Sequence, residues 1–265
     1  MAVKAGSSGH TQERHVVVSR LVDGGDGESR FEDDLISYTK ALGPLRQTAA
    51  ISATAISFHW WPAGYASDFR PMPGRRIVLV TQGAAEVLAG NGEARTFRPG
   101  DVLEAQDCEG RGHVIRAAED QPFRAAIIAL DDNTGGPAGT SARQQSTQSL
   151  PFVRNATGDD GQSHFDDGAL AYFHGDAGAL FTEEIAITAY QFVLALADLN
   201  YDFHNAPQRQ TVLPLTGGID VENGDGSRRQ VEPGGVFFGE DTTGQGHITR
   251  AVDGELRFSI FGHLS

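Results

Sequence analysis

Short apolar runs, each followed by a glycine- or proline-bearing turn, recur along the chain. Arg76, Ile77, Val78, Leu79 and Val80 form one such run, and Thr211, Val212, Leu213, Pro214 and Leu215 form another; both have the length of a buried strand. Downstream of each, Asn91-Gly92 and then Asn223-Gly224 and Asp225-Gly226 are pairs that accept the positive φ of tight hairpins. Pro99-Gly100-Asp101 and Pro233-Gly234-Gly235 mark a second turn before another strand, and residues 123–130 and 256–261 supply a closing one. Residues 32–39 and 166–173 leave strand and short helix both open. Many short strands at turn-punctuated spacing predict an all-β chain, built as a barrel or a sandwich.

The same pattern is written twice. Shifted by 134 positions, the stretch from Asp68 to Ala117 matches Asp202 to Ala251 without a gap, with 20 of 50 positions identical. Ordinary residue frequencies would give about three or four. So long a period does not describe a solenoid and reads as a pair of globular domains. Residues 132–149 carry almost no large apolar side chain and read as a linker. The expected organisation is a tail over 1–20, a first domain over 21–131, the linker over 132–149 and a second domain over 150–265.

Composition narrows the class. A net charge of −14 argues against a nucleic-acid surface, which needs clustered Lys and Arg. No apolar run approaches the ~20 residues that span a bilayer. The first residues lack the apolar core of a secretory signal. A single cysteine, Cys108, leaves no intramolecular disulfide and no Cys-based zinc site, which fits a reducing cytoplasm. The expectation is a cytoplasmic protein, monomer or homodimer, whose partner is a small molecule.

Two strings carry a family resemblance. Pro99-Gly100 leads to Gly110-x-x-His113, and Pro233-Gly234 leads to Gly244-x-x-His247, within Asp241-Thr242-Thr243-Gly244-x-Gly246-His247. These resemble the second motif of the cupin superfamily, and the duplicated chain resembles a bicupin over roughly residues 45–130 and 180–265. The resemblance implies two tandem double-stranded β-helix (jelly-roll) barrels, each open at one end. It also implies ligand positions. Where the family's first motif has His-x-His and then Glu, this chain has Asp202-x-His204 and Gln210 in the second copy, and Asp68-x-Arg70 and Arg76 in the first.

Alternation along a strand would turn Asp202 and His204 to one side, and the resemblance puts Gln210 and His247 opposite them. Two imidazoles, a carboxylate and an amide oxygen make a nitrogen/oxygen set for Fe, Mn, Ni or Zn. In the first copy Arg70 and Arg76 stand beside His113. A guanidinium has no lone pair to give a metal. Its repulsion of a divalent ion at about 4 Å costs several kcal/mol even at an effective dielectric of about 20. That copy is expected to be metal-free, holding a carboxylate or phosphate, or serving as scaffold. Glu240, which faces Gln106 across the duplication, and His263 on the last strand are the candidate proton-transfer groups of the second copy. Asp107 and Asp241 occur in both copies and read as caps for turn amides. The leading expectation is a metal-dependent isomerase, cyclase or lyase acting on an enol or carbonyl metabolite. The alternatives are a dioxygenase and a non-catalytic small-molecule-binding or structural bicupin.

Overall fold

The computed structural model describes residues 14–130 and 144–265. It is all-β, with a closed eight-stranded barrel and only two short 3-10 turns among the described residues. Residues 32–37 and 166–173 are strand, within Ser29–Ser37 and Ser163–His174, and Tyr38 and Thr39 lie just past the first of these.

Two compact units make up the chain. The first comprises the described residues of Met1–Ile36, Ala53–Gln148 and Ala171–Ile185; the second comprises Ser37–Ser52, Ser149–Leu170 and Ala186–Ser265. Each therefore includes a segment from the opposite half of the sequence. In the first, Leu180 and Phe181 pair with Trp60 and His59 on the strand Ala55–Trp61. In the second, Leu45–Gln47 pairs along Ile185–Ala195, with Ala195 opposite Leu45 and Val193 opposite Gln47. No compositional signal marks such an exchange, because a strand reads the same whichever neighbour it joins.

The tail and linker expectations fall partly outside the described residues, at 1–13 and 131–143. Within them, His15–Asp23 is a strand, with Val16 and Val18 buried and a parallel pairing to Leu103–Ala105. That overturns the tail reading for His15 to Arg20: alternating valines gave them a face to bury. Gln145–Thr157 is also a strand, its Phe152–Ala156 part paired in parallel with Val236–Glu240, although its first residues are polar. Backbone pairing there does not need apolar side chains.

The cores follow the alternation of the strands. In the second unit, Val212, Phe237, Ile219, Val221 and Val231 are buried together, with Phe261 packed on them. Register puts Val212 between Phe237 and Phe261. In the first unit, Val78 lies between Leu103 and Ile127 in the corresponding row. Each fully buried apolar side chain of this kind contributes roughly 1.5–3 kcal/mol.

Two glycines in the repeated strings are required by close approach. Gly112 has φ +73°, and a β-carbon on it would meet the Arg70 carbonyl at 2.0 Å; Gly246 has φ +77° and would meet the His204 carbonyl oxygen at 2.2 Å. Backbone cannot yield as a side chain can. Gly246→Ala is therefore expected to cost about 3 kcal/mol and to displace His204. Gly226, with φ +80° and nothing within 4 Å of its β-carbon, isolates the strain of the dihedral alone. Gly226→Ala should cost about 1 kcal/mol. Urea unfolding of the two variants checks the difference.

Candidate functional site

The strand registers bring a polar layer next to the apolar core of the second unit. One row beyond Phe237–Val212–Phe261, Gln210 lies opposite Gly239 on one side and His263 on the other. A neighbouring strand pair continues the layer. Val221, a core residue, lies opposite Thr249, and two residues along Asn223 lies opposite His247, which in turn lies opposite His204. Residues two apart on a strand share a face, so Gln210, His263, His247 and His204 all project from the face that bears the core. A β-carbon on Gly239 would touch the Phe237 ring at 3.3 Å and Gln210 Cγ at 3.7 Å, and the Phe237 ring centroid is 6.4 Å from that of His247.

The two imidazoles form the chemical centre. Their ring centroids are 4.6 Å apart with planes inclined at 51°. His247 is 5% exposed, and its Nδ1 donates to the Asp241 carboxylate at 2.6 Å. His204 Nδ1 donates to the Asp202 carbonyl at 2.8 Å. With both Nδ1 atoms protonated and engaged, each neutral ring keeps its lone pair on Nε2. Burial pushes the His204 pKa down, a carbonyl hydrogen bond pulls it back up, and the neighbouring His247 lowers it further. Burial also lowers that of His263. Both are thus biased towards the neutral form, able to accept a proton or to ligate.

Asp241 is fully buried and takes a second hydrogen bond, from Ser163 Oγ at 2.8 Å. The first unit repeats the dyad: His113 Nδ1 lies 2.6 Å from the Asp107 carboxylate, with Asp107 fully buried. Burial raises the Asp107 pKa against the His113 hydrogen bond that lowers it. The turn-cap reading of Asp107 and Asp241 is therefore corrected. A carboxylate six residues before a histidine, present in both copies, was the signal for a supported imidazole.

Around that shared dyad the two units differ. The row Gly239–Gln210–His263 corresponds to Ala105–Arg76–Ala129 in the first unit. Arg76 is 5% exposed and donates to the Arg75 carbonyl at 3.0 Å. Arg70 takes the place of His204: its backbone exchanges two hydrogen bonds with His113, at 3.1 and 3.0 Å, and its guanidinium donates to the Tyr65 hydroxyl at 3.2 Å. His59, whose Nε2 is 3.0 Å from Ser57 Oγ, lies within the electrostatic reach of Arg76.

Two expected members of the second site stand apart from it. Asp202 is exposed, and its Oδ1 accepts the backbone N–H of Phe203. The alternation that was to turn Asp202 with His204 breaks at a register shift between Tyr201 and His204. Glu240 follows Gly239 and so lies on the opposite face of its strand, where Arg209 donates to it at 3.2 Å. Among the described residues no three His, Cys, Asp or Glu side chains group as a metal site. What remains of the expected set is two imidazoles and the amide of Gln210.

A cavity of about 510 Å³ lined by Asp220, Arg228, Gln230 and Arg250 lies on the other face of the His247 strand pair. Its charges satisfy one another, Arg250 lying 2.7 Å from Glu222 and 3.6 Å from Asp220. It is not where the imidazoles are.

No family model matches the chain, and no curated protein matches it. Solved structures similar to it include one described as a cupin. A "Cupin 2 conserved barrel domain protein" from Leptotrichia buccalis is 14% identical, over 86% of this chain and 92% of that one, with a TM-score of 0.43. A putative glyoxylate-induced protein from Pseudomonas aeruginosa is 11% identical over 100% and 95%, at 0.43. An oxalate decarboxylase from Bacillus subtilis is 10% identical over 85% and 74%, at 0.34. Among the described residues no helix is long and apolar enough to cross a membrane.

Proposed function

We propose that the chain is a bicupin of two tandem barrels, and that its second barrel acts on a small enolisable metabolite at His204 and His247. The observation that carries this reading is the imidazole pair, 4.6 Å between centroids, each ring held through Nδ1 and each with its Nε2 lone pair left over. Neutral imidazoles and an amide oxygen suit a borderline divalent ion, so the donor chemistry fits Fe, Mn, Ni or Zn held by His204, His247 and Gln210, without Asp202. Such an ion supplies Lewis acidity to an enol or carbonyl oxygen.

The protein's own side chains do the rest. Asp241 fixes the His247 tautomer and the orientation of its ring. Tyr201 packs edge-on against His204 at 5.5 Å and holds the ring's orientation. His263, kept neutral by burial, is placed on the Gln210 row to take a proton from the substrate carbon. Proton removal beside a polarised oxygen is the shared step of isomerase, cyclase and lyase chemistry. The first barrel has Arg70 and Arg76 in the corresponding places and is the metal-free member, its guanidinium groups suited to a carboxylate or phosphate.

Titration with cobalt(II) tests this directly. His204→Ala and His247→Ala should each weaken binding by at least ~100-fold, while Arg70→Ala leaves it unchanged. Equal losses in all three, or no binding by the wild-type protein, would overturn the reading.

A further inference from the structure

The duplication exposes a second place where the two copies part. In the first unit Phe123 lies opposite Trp61, and the two rings stack at 4.5 Å with planes inclined at 11°. At the same two positions the second unit has Arg257 opposite Ala195. An apolar aromatic pair has become an arginine facing a methyl group.

Arg257 does not escape to water. It is 2% exposed, and burial lowers its pKa to about 10 with no acidic group offsetting it. Neither its Nε nor its Nη1 has a hydrogen-bond partner, and no carboxylate lies within ion-pair distance among the described residues. Two residues on, and so on the same face, Ser259 Oγ is likewise buried and unpartnered. The cluster that contains Ala195 is Leu45, Val193 and Leu199, with Tyr201, Ala251 and Phe261 packed on it. Leu45 and Phe261 are larger than Ala179 and Ile127, their counterparts, and return part of the volume that the missing indole frees. None of these apolar side chains accepts a hydrogen bond. The Tyr201 hydroxyl is already committed to the Leu42 carbonyl at 2.5 Å. A buried guanidinium with two idle N–H groups is strongly unfavourable unless something carrying negative charge meets it.

We infer that the second unit holds a small monoanion, of halide or formate size, against Arg257 Nε and Nη1 with Ser259 Oγ as a further donor. Arg257 lies six residues along the strand from His263, or about 20 Å at strand rise, at the other end of that strand from the row that carries Gln210 and His263. The site stabilises the fold rather than serving the reaction. An ion bound only by the folded state raises stability in proportion to the logarithm of its concentration above the dissociation constant.

The experiment replaces sodium gluconate, whose anion exceeds the proposed size, by sodium bromide, and separately by sodium formate, at fixed ionic strength, and follows the unfolding midpoint. The wild-type midpoint should rise by several degrees and then climb logarithmically. Arg257→Phe, which installs the residue of the first copy, should be flat. The salt with the larger effect identifies the occupant as halide or carboxylate. Crystals of the wild-type protein soaked in bromide should show anomalous density at the guanidinium, which decides the matter even if Arg257→Phe does not fold. Parallel responses in the two proteins would overturn the inference, as would soaked crystals with no bromide at Arg257.

Discussion

Asp241→Asn should lower the stability of the protein by about 3 kcal/mol and weaken cobalt(II) binding by about 10–100-fold. The carboxylate is fully buried and accepts from both His247 Nδ1 and Ser163 Oγ. Both hydrogen bonds fall on Oδ2 while Oδ1 is buried without a partner, so an asparagine removes the charge that holds the two donors and adds N–H groups for which no acceptor is placed. If the amide nitrogen faces the ring, His247 is forced into the other tautomer and loses its Nε2 lone pair. Asp107→Asn tests whether the two effects separate. It breaks the same 2.6 Å hydrogen bond, to His113, in the unit without the second imidazole. Its stability loss should be similar and its effect on cobalt binding nil. Denaturant unfolding and calorimetric titration of the two variants make the comparison. Equal binding losses would place the working imidazole outside the second unit.

Acid should unfold the wild-type protein more readily than His59→Val. Burial, and then the Arg76 charge, lower the His59 pKa from 6.5 to about 4. The unfolded chain therefore binds a proton that the folded protein refuses. The associated stability is fully present above pH 6.5 and is lost as the pH falls through 4. A shift of that size corresponds to about 3 kcal/mol. Val193 occupies the matching position in the second copy and is buried, so valine suits the strand. Asp107, His204 and His263 also titrate with shifted values, but they are common to both proteins and cancel in the difference. Chemical denaturation across this pH range should show the wild-type protein losing about 3 kcal/mol relative to His59→Val between pH 6.5 and 4. Parallel pH profiles would mean that His59 is not held neutral by its surroundings.

The all-β architecture was legible because strands and turns are local. Hairpin glycines and apolar runs of strand length state their own conformation, and residues 76–80 and 211–215 fall within observed strands. His204, Gln210 and His263 stand out in the sequence because the repeat aligns them with Arg70, Arg76 and Ala129, which cannot do the same chemistry, whereas His247 aligns with His113. What failed were inferences that needed more than alternation. Asp202 was turned towards His204 by a period of two, which a register shift interrupts. Glu240 was singled out for differing from Gln106, but its place immediately after Gly239 puts it on the other face. Asp107 and Asp241 were set aside because both copies have them. A supporting hydrogen bond to an imidazole is equally needed in both, since an unpartnered buried Nδ1–H would cost stability in either unit. Segment exchange between the units left no trace in composition at all.

On the proposed reading, the second unit, through His204 and His247, is where this protein holds its reactive partner. Crystals grown with cobalt(II) and measured at the cobalt absorption edge test it most directly. One anomalous peak beside the His204 and His247 rings, with none near His113, is the predicted result. A peak at His113, or none in either unit of a cobalt-saturated crystal, would contradict it.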